Sequence, residues 1–322
     1  QGNAGYHSAD ELLRDADTAA YRAKTLGRAR HVVFDKAMHE QADARLQMSS
    51  DLAHAFEGPT QFRLTYQPII DLQLKRCSGF EALIRWDHPK LGGVPPSEFI
   101  PVAEETGLII KLGSWALREA CTQLAQWRKR YSDAQGMTVS VNVSPQQIVQ
   151  PFFHREVARI ISEVGLPGQN LILEITESVI MDGARLANSV IDGLKDLGVR
   201  LCVDDFGTGY SSLTYLEKLP IDAVKIDKSF VNGPHGLLQS EQIVRMVLRL
   251  GDSLKMRVIA EGVETKQQLV LLNKMGCRYI QGYLFSKPVS PDLIESHIFG
   301  TSELLLGPDF NVRFNQPVLR PA

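Results

Sequence analysis

Five carboxylates stand at the ends of short, β-rich runs of this chain: Glu81, Glu174, Asp204, Asp205 and Glu261. Gathered in one place they could not all stay ionised, because each like charge raises the pKa of the next. One lysine, Lys225, and one amide, Asn142, occupy equivalent strand positions. A single ammonium does not balance five acids, so one or two divalent cations are implied. Carboxylate and amide oxygens with no His or Cys among them suit Mg²⁺ or Mn²⁺, with Ca²⁺ as an alternative, rather than Zn²⁺. The eight histidines are scattered and form no HExxH pair. In the adjacent pair Asp204-Asp205, one carboxylate could bridge two ions while the other binds one. Two cations about 3.5–4 Å apart clamp the attacking and leaving oxygens of a phosphodiester in line. As a general base Lys225 would need a pKa near 7, against a usual value of about 10.4. It reads better as a cation that orients the attacking water or stabilises developing charge; the plain alternative is a salt bridge to Asp227 or Glu261. Arg85 is a candidate phosphate fork, its plain alternative a rim salt bridge.

These residues need a frame that brings strand ends together. Eight runs read as strands: Phe62–Asp71, Gly79–Trp86, Thr138–Ser144, Leu171–Ser178, Arg200–Asp205, Ala223–Asp227, Arg257–Glu261 and Arg278–Phe285. The last six are separated by segments of helical length and period, such as Ser189–Leu197 and Ser240–Leu254. Eight strands in about 240 residues predict an α/β fold, a (β/α)8 TIM-like barrel with its site at the carboxyl ends of the strands. Only Leu72–Ser78 joins the first two runs. A parallel crossover needs a dozen residues or more, so this pair is expected to be an antiparallel hairpin. An open Rossmann-like sheet is the competing fold, but no G-x-G-x-x-G follows the early strands. Period-two alternation puts Glu81 with Arg85 on one face, Ser140 with Asn142 and Ser144, and Lys225 with Asp227. Gly207-Thr208-Gly209 reads as a loop beside the acids, with Ser211-Ser212 capping the helix after it.

The 322 residues carry a formal charge of −2, which argues against a long nucleic-acid partner. The hydrophobic fraction of 44% excludes a disordered chain. Cys77, Cys121, Cys202 and Cys277 stand apart, so reduced thiols and no structural zinc are expected. No apolar run reaches the length of a membrane span and no signal peptide opens the chain, so a cytoplasmic setting without membrane contact is expected. The sequence begins with Gln1, as a piece of a longer protein would, and the parent could be membrane-anchored elsewhere. Residues 1–34 read as an amphipathic helix (Leu12, Leu13, Ala16, Ala20, Tyr21), a stop at Gly27 and a short strand, His31–Phe34, the tail of another domain. Residues 35–60 read as a linker helix capped by Asp35 and ended by Gly58-Pro59; 61–300 form the barrel, and the tail 301–322 is unassigned.

At the strand ends the motifs become specific. Glu81-Ala82-Leu83 with Arg85-Trp86 resembles the signature of the EAL domain family, the cyclic di-GMP phosphodiesterases of bacterial second-messenger signalling. The likeness continues through Asn142-Val143-Ser144, Glu174-Ile175-Thr176-Glu177, Asp204-Asp205-Phe206-Gly207-Thr208-Gly209-Tyr210-Ser211-Ser212-Leu213, Lys225-Ile226-Asp227, Ala260-Glu261-Gly262-Val263-Glu264-Thr265 and Gln281-Gly282-Tyr283, covering roughly Phe62–Phe299. No position that holds metal in the family departs from its pattern here.

The resemblance implies a barrel with an antiparallel first strand and two Mg²⁺ or Mn²⁺ ions per site, with Ca²⁺ as a bound, inhibitory alternative. One ion would be held by Glu81, Asn142, Glu174 and Asp204, the other by Asp204, Asp205 and Glu261, with Lys225 placing the water. Arg85 and the backbone at Leu83 would meet the substrate phosphate. Gln67 would lie near a guanine, and Asp227 and Gln281 complete the substrate contacts. Glu177 would steady the loop after the Asp pair, close to a homodimer contact. The implied reaction opens cyclic di-GMP to linear pGpG; a catalytically silent cyclic di-GMP receptor is the alternative, and a general nuclease or a Schiff-base aldolase a more distant one. Ala16-Asp17, Tyr21-Arg22-Ala23-Lys24 and Gly27-Arg28 resemble the end of a GGDEF diguanylate cyclase domain, which implies a tandem GGDEF–EAL parent with upstream domains. The GGDEF signature itself is absent, so no cyclase activity is assigned.

Overall fold

The computed structural model describes residues 33–57, 60–177, 188–207, 219–232 and 236–299, together with positions 8–10, 13, 15–17, 19, 20, 31 and 216. Strands β1 (Phe62–Asp71) and β2 (Arg76–His88) form the expected antiparallel hairpin. A short strand, β3 (Gly92–Val94), folds back on the end of β2; the sequence reading did not anticipate it. Then β4 (Thr138–Asn142), β5 (Leu171–Thr176), β6 (Arg200–Phe206), β7 (Ala223–Ile226), β8 (Arg257–Ala260) and β9 (Tyr279–Ile280) follow β2 in parallel. Strand β9 pairs antiparallel with β1 through Ile70–Ile280 and Asp71–Tyr279, closing a barrel of eight strands with β3 outside the ring. The first strand is thus antiparallel to both its neighbours.

Alternation decides which residues face the helices. Along β5, Leu171, Leu173 and Ile175 join the outer core, as do Val139 and Val141, Leu201 and Val203, and Val224 and Ile226 on the neighbouring strands. The intervening residues turn into the barrel, where Ile172, Cys202 and Ala223 form a small separate apolar cluster. Helix Ile109–Arg130 covers the outside with Ala116, Leu117, Ala120, Cys121, Leu124 and Trp127. Their spacing of three and four residues makes one helical face, and burying each large apolar side chain stabilises the fold by about 1.5–3 kcal/mol. The four cysteines are buried and unpaired, as expected.

The linker expectation needs refinement. Helix Lys36–His54 matches the predicted element, but its last turn is docked on the barrel. Leu52 and Ala55 are buried with Phe62, Trp86 and Phe99, and Asp51 lies 3.2 Å from His88 Nε2. Earlier residues differ more. The described positions between 9 and 20 are helical, yet Leu13, Ala16 and Ala20 of the expected apolar face are exposed. Positions 31, 33 and 34 are not in a strand, and Val33 is 79% exposed. A strand forms only where a partner supplies the other half of the hydrogen-bond ladder, and among the described residues none does so here. The Gly27 stop, Gly58-Pro59, Thr208 to Ser212 and the tail lie outside the described residues. No helix among the described residues is long and apolar enough to cross a membrane.

Candidate active site

Every barrel strand delivers one polar side chain to a single layer near the carboxyl ends. These are Gln67 from β1, Glu81 from β2, Asn142 from β4, Glu174 from β5, Asp204 from β6 and Lys225 from β7, with Glu261 and Gln281 one residue beyond β8 and β9. The last two stay in register because Glu261 N donates to Ile226 O and Gln281 N to Ala260 O. The run predicted as Arg278–Phe285 therefore ends early as a strand. Gly282 explains the departure: a Cβ there would sit 2.1 Å from Val263 O, so only glycine allows the backbones to pass this closely.

Lys225 is at the centre. Its Nζ lies 2.6 Å from Glu261, 2.8 Å from Glu174, 3.1 Å from Glu81 and 3.5 Å from Asp204, and the side chain is 1% exposed. Of the two salt bridges weighed from sequence, the one to Glu261 forms and the one to Asp227 does not. Burial alone would make this lysine less basic. Glu174, Glu261, Glu81 and Asp204 outweigh burial and hold it well above the usual range, as an ammonium. The acids do not share this relief equally. Burial would lift Glu81 too, but Lys225 and the amides of Gln281 and Asn142 bring it below the carboxylate range. Gln281 Nε2 donates to Glu81 Oε2 at 2.6 Å and Asn142 Nδ2 to Glu81 Oε1 at 3.0 Å. Glu174 has no such amides: burial pushes it well above the carboxylate range, Lys225 opposes, and the charges of Glu81 and Asp204 add to the rise. Burial likewise raises Glu261 to about 7, against Lys225 and helped by Glu81 and Asp204.

Asp204 and Asp205 are consecutive, so a regular strand would point them to opposite faces. A β-bulge prevents this. Between the pairs Val203–Val224 and Phe206–Ile226, two residues of β6 stand opposite the single Lys225 of β7. Asp205 has φ 54°, a left-handed conformation that costs a non-glycine residue energy and that functional sites tend to retain. The result brings one ligand-type oxygen each from Asp204, Asp205 and Glu261 within 4.8 Å of one another, a set that could hold a cation. Burial, then the neighbouring charges of Asp204 and Asp227, raises Asp205. Asp227 is held low against burial by hydrogen bonds from Ser229 and Asp205, Ser229 N lying 2.9 Å from Asp227 Oδ1. Of the other predicted set, Glu81, Glu174 and Asp204 are gathered round the Lys225 ammonium, and Asn142 reaches it through Glu81. There, among the described residues, Glu174 Oε1 is buried without a hydrogen-bond donor and Asp204 Oδ1 has only the Lys225 ammonium, 3.5 Å away. Buried carboxylate oxygens that lack donors fit a cation site.

Gln67 donates to Ser286 O and accepts from Gln281 Nε2, both at 3.0 Å, so it lies in the buried wall, where a guanine contact would have to displace one of these bonds. Arg85 is half-buried; its guanidinium donates to Ile84 O at 2.8 Å and forms no ion pair among the described residues. The Leu83 carbonyl accepts from Thr65 Oγ1 at 3.2 Å. Glu177 Oε2 lies 3.5 Å from Gly207 N, at the start of the loop it was expected to steady. The sequence reading left two lumen residues without a role. Ser140 Oγ is buried without a hydrogen-bond partner among the described residues, and Cys202 stands across from Glu174 on the adjacent strand with its thiol pushed far up, by burial first. Period-two counting back from Asn142 and Asp204 marks both.

The comparison with known proteins decides the family. The EAL domain family model matches residues 49–288. The chain belongs to the EAL domain family. A cyclic di-GMP phosphodiesterase of Pseudomonas aeruginosa is 41% identical over 257 residues, 80% of this chain and 43% of the relative. The bifunctional diguanylate cyclase/cyclic di-GMP phosphodiesterase MucR of the same organism is 38% identical over 280 residues, 87% of this chain and 40% of MucR. The chain therefore spans less than half the length of these relatives. The solved PaMucR phosphodiesterase in complex with cyclic di-GMP covers 77% of this chain and is itself 99% covered, at 37% identity and a TM-score of 0.73. The EAL enzyme Bd1971 with cAMP and cyclic di-GMP bound is similar over 91% of this chain and 76% of its own, at 32% identity and a TM-score of 0.76. The barrel described above is thus that of an EAL domain.

Proposed function

We propose that this EAL domain hydrolyses cyclic di-GMP to linear pGpG with two divalent cations, Mg²⁺ or Mn²⁺, held at the barrel mouth. The observation that carries the reading is the buried excess of acid over the one ammonium, with Glu174 Oε1 accepting no hydrogen bond among the described residues and Asp204 Oδ1 facing only the Lys225 ammonium, 3.5 Å away. The relatives and solved structures named for cyclic di-GMP supply the substrate class. Asp204, Asp205 and Glu261 would hold one cation, and Glu81, Asn142, Glu174 and Asp204 the other. Bound there, the cations supply Lewis-acid activation of water and neutralise the phosphodiester.

The remaining work falls to the chain's own side chains. Lys225 keeps its proton and places the attacking water by donating to it. Gln281 and Asn142 orient Glu81, and Asp227 orients Asp205 through their shared hydrogen bond. Arg85 offers its fork to a non-bridging phosphate oxygen, beside the main chain at Leu83. Water attacks phosphorus in line, the bond to the 3′ oxygen breaks, and the 5′ phosphate stays on the linear product. Gln67 and Gln281 form the wall nearest a guanine.

Chromatography of cyclic di-GMP incubated with the purified chain tests this. With Mg²⁺ or Mn²⁺ the reading expects pGpG, abolished by EDTA and by Glu81→Ala. Tight nucleotide binding in EDTA with no cleavage once metal is restored would replace it with a silent receptor.

A further inference from the structure

The far end of the barrel holds a cavity of about 190 Å³ that no step of the proposed reaction uses. Its wall is built from strand starts. Arg76, Arg200 and Arg257 are the first residues of β2, β6 and β8, and Arg278 immediately precedes β9. Parallel strands bring their amino ends together, so four arginines separated by up to about 200 positions in sequence meet on one rim. Strand β1 runs the other way and delivers its last residue, Asp71, to the same place.

The polar partners there are unevenly distributed. Arg278 Nε and Nη2 are committed to Asp71, at 3.0 and 2.7 Å from Oδ2. Asp71 also accepts from Gln73 N and Leu74 N, at 2.9 and 3.0 Å, so it has nothing left for another arginine. Asp222, the carboxylate whose charge reaches Arg200, has its Oδ2 taken by Lys195 Nζ at 2.6 Å and Leu201 N at 2.7 Å and makes no ion pair with Arg200. Arg257 lies over the Tyr279 ring, 5.5 Å from its centroid, with Arg278 at 5.0 Å from the same centroid. Among the described residues Arg76, Arg200 and Arg257 form no ion pair. Partial burial, and then the charge of Arg257, makes Arg200 less basic than usual. Asp133 is the one other acid on the wall. Three guanidiniums thus present donors to a single concavity, held together by the barrel against their own repulsion.

We propose that this cavity is a second, anion-binding site that takes a phosphate or diphosphate group, free or carried by a nucleotide. Guanidinium forks match phosphate oxygens two at a time, and an anion between Arg200 and Arg257 removes their repulsion. The size restricts the ligand. Pockets that enclose whole drug-sized molecules run to about 300–1,000 Å³, so this one encloses the phosphate end and leaves any nucleoside outside. The inference does not depend on the proposed hydrolysis.

The test uses the full chain in EDTA, so that no metal recruits phosphate to the mouth. Thermal melting and titration calorimetry are followed with inorganic phosphate, pyrophosphate and GDP, against chloride at matched ionic strength. Pyrophosphate is expected to raise Tm saturably, and the double variant Arg200→Gln/Arg257→Gln to weaken its binding about tenfold or more. Arg85→Gln, at the mouth, is expected to leave that binding unchanged. GDP binding more tightly than pyrophosphate would identify a nucleotide-borne group, and equal or weaker binding a free one; either supports the site. An equal rise with chloride, an undiminished rise in the double variant, or loss of the rise in Arg85→Gln alone would overturn the proposal. Should the double variant fold poorly, Arg200→Lys/Arg257→Lys keeps the charge and removes the forks, and weaker pyrophosphate binding is still expected.

Discussion

At the carboxyl ends of the strands, Glu81, Glu174, Asp204 and Glu261 surround the single ammonium of Lys225; at the amino ends, Arg76, Arg200, Arg257 and Arg278 share a wall with Asp71. Both ends collect like charges, but burial separates their consequences. Glu174 and Lys225 are at most 1% exposed, so the acid excess there is relieved by proton uptake, with Glu174 and Glu261 raised. Arg76 and Arg257 are exposed and Arg200 half-buried, so water screens their repulsion. A buried surplus of one sign therefore calls for a counter-ion as part of the working structure. A surplus at the surface only offers a place for one.

The sharpest way to break this comparison is to remove one cation from each end. Lys225→Met should destabilise the metal-free protein by about 3–5 kcal/mol, the range for breaking a buried ion pair. Arg257→Met should stay within about 0.5 kcal/mol, as a surface change does. Urea unfolding followed by circular dichroism measures both, and equal losses would remove the distinction. A smaller effect is expected from Gln281→Leu, which takes away the amide that holds Glu81. Mn²⁺ affinity by calorimetry should fall roughly 10–100-fold with the fold intact, as for other residues that orient a ligand.

The two ends should also respond oppositely to pH. Glu261 titrates near 7 in the folded, metal-free protein against an ordinary 4.5. Its stabilising contribution is complete below about 4.5 and is lost as pH rises through about 7. Asp71 behaves in reverse. Burial would raise it, but hydrogen bonds from Arg278 and the Leu74 and Gln73 amides hold it below its ordinary 3.8. Its contribution is present above that value and is lost as pH falls through the lowered folded pKa. In EDTA, Glu261→Gln should flatten the stability profile between about 4.5 and 7, whereas Asp71→Asn should alter only the acid limb. Arg278→Ala should cost only about 1 kcal/mol at neutral pH, because solvent screens an ion pair whose arginine is 38% exposed.

Much of the acidic end was legible in the sequence. Short β-rich runs alternating with helical stretches located the barrel strands, the short Leu72–Ser78 connection implied the antiparallel hairpin, and the acids at the strand ends implied a shared mouth. Local pattern could not show that Asp204 and Asp205 both turn to that mouth, because this depends on a bulge defined only against β7. Nor could it show Leu52 and Ala55 docked on Phe62 and Trp86. The basic end was missed altogether. Asp71 and Arg278 are 207 positions apart and meet only through barrel closure, so no window of sequence contains the pair. Positions 31, 33 and 34 of the expected strand His31–Phe34 are not in a strand for the complementary reason, since no partner among the described residues offers a ladder to join.

The central claim is that the buried acids are completed by two divalent cations that act on a phosphodiester. Anomalous diffraction from crystals grown with Mn²⁺ and cyclic di-GMP, with turnover slowed by cold, tests it most directly. The account predicts two manganese peaks: one bounded by Asp204, Asp205 and Glu261, the other by Glu81, Asn142, Glu174 and Asp204. The phosphate should lie against both. Bound nucleotide with no manganese peak, and Lys225 still seated among all four acids, would contradict it.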